Sequence, residues 1–164
     1  MTAETIAFMF VLAQIAGIYI GFGALISASK SSEATKQEAQ TLATIVYIGI
    51  MVVVGALLPL LLDRYGLNID WSLRIGAIVL LAMAWVGIFA MWSNALEAIK
   101  ATPGLTAFFW VQEAAIQFPL ILILAGAFSP HAEALYLTAL VVSAFEAAQL
   151  LVGLVFAAPK ASNE

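Results

Sequence analysis

The sequence has no cysteine, a single histidine and little charge. Without cysteine there is no disulfide and no thiolate metal site, and composition leaves the redox compartment open. His131 cannot build a metal site alone, so neither metal nor cofactor is expected. Charged residues make up 10 % of the 164 residues, against about 25 % in a soluble domain. The net charge is −4 and scattered along the chain, which argues against nucleic acid as a partner. No Lys or Arg precedes Lys30. The basic n-region of a signal peptide is therefore missing, and the first apolar run is expected to stay in the mature protein.

What the chain does have is apolar length. It is 64 % hydrophobic with a mean hydropathy of +1.07. Runs of this kind place the chain in a membrane as one all-α domain, a polytopic helix bundle with the lipid bilayer as its first partner. Five spans are expected, at about residues 4–27, 41–62, 71–93, 105–128 and 132–157, with a short polar tail at 159–164. The fourth is the weakest, because Gln112, Glu113 and Gln117 interrupt it and Pro119 sits inside it. The alternative is four spans plus one interfacial or re-entrant helix.

Local signals set the ends. Thr35-x-x-Glu38 fits a capping box and starts the second helix. Asp70 is a candidate N-cap for the third, and Trp71 and Trp92 bracket one bilayer crossing between aromatic belts. Tyr65 reads as an interfacial anchor, and residues 93–101 as a continuation of the third helix into water. Thr102-Pro103 and Ser129-Pro130 each pair a cap residue with proline at the first helical position. Pro59 removes a backbone donor near the end of the second span and is expected to kink it.

Two groups of residues stand out. Ala13, Gly17 and Gly21 put a small residue at every fourth position, a smooth face for helix packing. A contact within one chain accounts for it more simply than a dimer seam, and Gln14 lies close to that face. The second group is polar. Glu146 sits mid-run among Ser143, Ala144, Ala147 and Ala148, with Gln149 near its face. A charge at the bilayer centre costs about 2.5–3.5 kcal/mol on insertion scales, so Glu146 is expected to face the bundle interior or a watery cavity. Glu113 and Gln117 share a face one turn apart. If Trp110 marks the interface, Glu113 lies within snorkelling reach of the headgroups. Counting about 1.5 Å per residue puts Gln14, Gln117 and Glu146 in one layer near the midplane. At least two of the three are expected to face inward, with a hydrogen-bonding partner for Glu146.

Basic residues distribute four to two: Lys30, Lys36, Lys100 and Lys160 on the side where the second and fourth spans begin, Arg64 and Arg74 on the other. The positive-inside rule then favours an outer N-terminus and a cytoplasmic C-terminus in a bacterial inner membrane. Comparison of the segments gives no internal repeat, so an inverted-repeat transporter is not indicated. A Glu in a helix of small residues is similar to the rotor-ring proteolipids of rotary ATPases in that one feature. The repeated Gly-rich hairpins of that family have no counterpart here, and it is not assigned. No nucleophile elbow, paired-His motif or metal cluster points to an enzyme. The composition fits an accessory or structural subunit, acting as a homo-oligomer or with other membrane proteins. The alternative is an ion, proton or small-solute conduit using the intramembrane Glu. Lipid or quinone binding is a further alternative.

Overall fold

The computed structural model describes residues 1–29, 36–92, 103–127 and 129–156. Five α-helices account for nearly all of them: α1 (Ala3–Ser29), α2 (Lys36–Arg64), α3 (Ile69–Trp92), α4 (Pro103–Leu124) and α5 (Ala132–Phe156), with a 3-10 turn at Ser129–His131 before α5. There is no strand among the described residues. All five helices are long and apolar enough to cross a membrane. The outer surface is apolar as well: Phe22, Trp85, Phe89, Phe118 and Phe145 are all exposed. A soluble bundle would cover that face with charge.

Successive helices run antiparallel. α5 is the hub, packed against α1, α2 and α4 and touching α3; α2 lies between α1 and α3, and α4 fits between α3 and α5. α4 is thus a full member of the bundle, not a surface helix. The core runs through all five helices, with Met9, Val52, Leu73, Leu120, Tyr136 and Leu140 buried. At the end where α1, α3 and α5 begin, Thr5 Oγ1 donates to Glu133 Oε2 at 2.6 Å, tying the first helix to the last. Arg64 and Arg74 lie at that end, and Lys36 opens α2 at the other.

The helix ends differ in places from expectation. Thr35 of the expected capping box lies outside the described residues, as do Thr102, residues 93–101 and the 159–164 tail. Asn68, not Asp70, caps α3: its Oδ1 accepts from the Asp70 amide at 2.7 Å. Asp70 instead sits in the first turn, where a negative charge complements the helix dipole. α4 stops at Leu124 and not near Phe128. Gly126 adopts a φ of 70°, and the Ala127 amide donates to the Leu122 carbonyl at 3.0 Å. That is a Schellman stop, which needs a left-handed residue and selects glycine. Gly66 ends α2 the same way, with a φ of 88°.

One packing feature organises the centre. Pro59 has no amide hydrogen, so the Gly55 carbonyl one turn back loses its helical partner. In an apolar interior such an orphan costs several kcal/mol unless it is met. Tyr136 meets it: its fully buried Oη donates to the Gly55 carbonyl at 2.8 Å. The tyrosine fits because Gly76 on α3 has no side chain there. A Cβ at position 76 would lie 2.5 Å from Tyr136 Oη and 2.9 Å from Pro59 Cγ. Proline, glycine and tyrosine from three helices thus form one unit.

Candidate functional site

The polar side chains gather where α4 meets α5. Glu113 stands near the middle of α4, roughly 15 Å from either helix end at 1.5 Å per residue. Antiparallel packing brings the middle of α5 to the same depth. Glu113 follows Gln112 directly and Glu146 lies one turn before Gln149, so the Gln112–Gln149 bond brings the two acids to within a turn of the same depth. Gln117 Nε2 donates to Glu113 Oε2 at 2.9 Å, and Gln112 Nε2 donates to Gln149 Oε1 at 2.7 Å. Two acids and three amides thus share one layer. Around them the wall is apolar or small: Ile116, Leu120, Ala144 and Ala147 are buried, and the Ser143 hydroxyl is spent on the Ala139 carbonyl.

Glu113 is 8 % exposed and bonds inward, toward the next turn of α4. Its carboxyl is thus held by Gln117, one turn further along α4. Glu146 is half-buried, facing the bundle as expected. Its expected hydrogen-bonding partner is absent among the described residues. Gln149 and Gln117 are half-buried in the same layer. Gln112 was not a site candidate by sequence, although it directly precedes Glu113 on α4.

Gln14 stands apart. It is exposed on the outer side of α1, since Thr5, Met9, Leu12 and Ala16 take the inner side. The small-residue face divides likewise. Ala13 packs partly against the core. Gly17 and Gly21 point outward, and a Cβ on either would meet nothing within 4 Å. The expected contact within one chain is therefore not made by these glycines. The close approach of α1 to α2 uses Gly23 and Gly49 instead, where a Cβ would lie 2.9 Å from Val46 Cγ2 and 2.7 Å from Ile20 Cγ1.

The Gln112–Gln149 pair is a bond between two neutral amides in an apolar interface. Replacing either by Leu strands the other amide and is expected to cost about 1–2 kcal/mol, whereas replacing both removes donor and acceptor together and should cost less than either alone. Unfolding of the two single variants and the double variant in mixed micelles measures this coupling. Additive losses would mean that the two amides do not depend on each other.

No group of three or more His, Cys, Asp or Glu side chains among the described residues could hold a metal ion. Chemically, the layer offers two carboxyls that can share a proton or a small cation, with carboxamide dipoles beside them. Comparison with protein-family models, with curated proteins and with solved structures gives no match.

Proposed function

We propose that the chain is an integral membrane protein whose α4–α5 layer is a station for a proton or a small monovalent cation crossing the bilayer. The observation that carries this is that two acids, Glu113 and Glu146, stand within one helical turn of the same depth on two packed helices, each within a turn of a member of the Gln112–Gln149 bond. Interhelical glue pairs donors with acceptors. Two carboxylates do the opposite: in a low-dielectric interface they repel, and one positive charge held between them removes that repulsion. Glu113 is fixed by Gln117, while Glu146 lacks a hydrogen bond among the described residues and is the member suited to exchange. The four-to-two distribution of basic residues in the sequence, Lys30, Lys36, Lys100 and Lys160 against Arg64 and Arg74, favours the N-out, C-in orientation, in a bacterial inner membrane.

The test is ion flux into liposomes holding the purified protein across a pH gradient. Wild-type protein should carry flux, and Glu146→Gln should fall to the leak of empty vesicles. Absence of flux in both overturns the reading. It would return the chain to the second one, an accessory or structural subunit working through other membrane proteins. The Gln112–Gln149 bond favours that second reading, since it does serve as glue between α4 and α5.

A further inference from the structure

At the end of the bundle where α3 and α5 begin and α4 stops, a shallow cleft opens between the three helices. Asp70, Arg74, Ile123, Gly126, Ala127 and Ala132 line it. Its depth follows from helix length. The 24 residues of α3 measure roughly 36 Å at 1.5 Å per residue, against a hydrocarbon core of about 30 Å, so the first turn of α3 stands among the headgroups. Trp71, exposed in that turn, is the residue type that marks this level. A cation is fixed in the cleft. Arg74 Cζ lies 5.5 Å from the centre of the Trp71 ring. On the α4 side, a Cβ added to Gly126 would lie 3.1 Å from Arg74 Nη2.

Arg74 is half-buried, and none of its five N–H groups has an acceptor among the described residues. Two ordinary roles are closed to it. It does not cap α4, because the Ala125, Gly126 and Ala127 amides already meet the Ile121, Ile123 and Leu122 carbonyls. It does not pair with Asp70 one turn back, although opposite charges at that spacing commonly meet on a helix. The Asp70 carboxylate, exposed beside it, likewise has no donor among the described residues. A cation and an anion thus share a cleft at headgroup depth without neutralising each other. We infer that this cleft holds the headgroup of a zwitterionic phospholipid with a primary ammonium, phosphoethanolamine, its phosphodiester on Arg74 and its ammonium on Asp70. The guanidinium fork matches two phosphate oxygens. A primary ammonium donates to a carboxylate, whereas a trimethylated amine has no N–H to give. An anionic lipid or a free phosphate ion would satisfy Arg74 but set its charge against Asp70. Ile123, Ala127 and Ala132 supply an apolar floor for the carbons next to the phosphate. The inference rests on the chain spanning a membrane and is independent of the acid pair on α4 and α5.

Native mass spectrometry of the detergent-purified full chain tests it, with dioleoyl phosphatidylethanolamine, phosphatidylcholine or phosphatidylglycerol added in turn. Wild type should retain the ethanolamine lipid about tenfold more tightly than the choline lipid. Inorganic phosphate should not displace it. Asp70→Asn should erase the preference while keeping both lipids bound. Arg74→Gln should weaken both about tenfold. Arg64→Gln, which changes an exposed arginine at the same end but outside the cleft, should alter neither. Unchanged thermal unfolding in detergent checks that each variant folds. The wild-type preference needs no substitution, so it decides even where a variant unfolds. Equal retention of the three lipids by wild type overturns the site. So does tightest retention of phosphatidylglycerol, displacement by inorganic phosphate, or a preference that survives Asp70→Asn. Recovery of the expressed protein in the soluble fraction would overturn the membrane reading along with it, whereas membrane-bound protein without the lipid preference overturns the site alone.

Discussion

Gly76→Ala is expected to be the most damaging single-methyl change in the bundle. In an isolated helix alanine would gain about 1 kcal/mol over glycine. Here the new Cβ meets Tyr136 Oη at 2.5 Å, Pro59 Cγ at 2.9 Å and Tyr136 Cζ at 3.0 Å. Proline cannot yield, so the tyrosine must. Overpacking costs about 1–3 kcal/mol, and releasing the Gly55 carbonyl costs about 1–3 kcal/mol more. A net loss of about 3 kcal/mol in mixed-micelle unfolding is expected after the helix-propensity gain is subtracted. Tyr136→Phe alone should cost about 1–3 kcal/mol, because it strands the Gly55 carbonyl but keeps the ring. In the Tyr136→Phe background Gly76→Ala should then cost visibly less, since the nearest clashing atom is gone. Relief is only partial, as Cζ and Pro59 Cγ stay. Strictly additive losses would show that the glycine and the hydroxyl act independently, and the three-helix unit would fall.

Glu146→Gln should do the reverse of most core substitutions and stabilise the protein. When both acids of the α4–α5 layer are charged, they stand within a turn of the same depth in an interface walled by apolar side chains. Removing one charge relieves both its desolvation and the repulsion, a gain of about 1–3 kcal/mol. The same substitution in a Glu113→Gln background should gain less, because only desolvation is left to recover. The measurement is detergent-stability unfolding at alkaline pH for wild type, both single variants and the double variant. A loss of stability in Glu146→Gln would reveal an attractive partner for Glu146 and turn the acid pair into a structural device. Gain of stability with loss of flux would mark a site that trades stability for function.

Apolar runs and caps made the five helices and their order legible, because span length and turn chemistry are local. That Glu113 and Gln117 share a face was legible too, since they stand one turn apart on one helix. The direction a helix face points was not. Gln14, Gly17 and Gly21 share one side of α1, as their spacing requires, but Thr5, Met9 and Ala16 turn that side outward, and their weight is felt only against α2 and α5. The end of α4 was missed because Gly126 can continue an apolar run as readily as it can stop one, until a left-handed φ decides. The Asn68 cap was missed because Asn and Asp both cap helices, and where the first turn closes decides between them. Tyr136 carried no signal at all. Its importance comes from a proline on another helix, a relation that no periodicity records.

That relation has a bearing on biosynthesis. Gly55 and Tyr136 are 81 residues apart, so a ribosome adding roughly 5–20 residues per second leaves the carbonyl on α2 unmet for roughly 4–16 s. Glu133, which fastens the beginning of α1, is made equally late. The nascent chain therefore emerges as four helices with an open seam, and α5 supplies the groups that close it at both levels. A ribosome stalled before α5 would release a product with an exposed polar defect in the hydrocarbon, the kind of chain that membrane quality control removes.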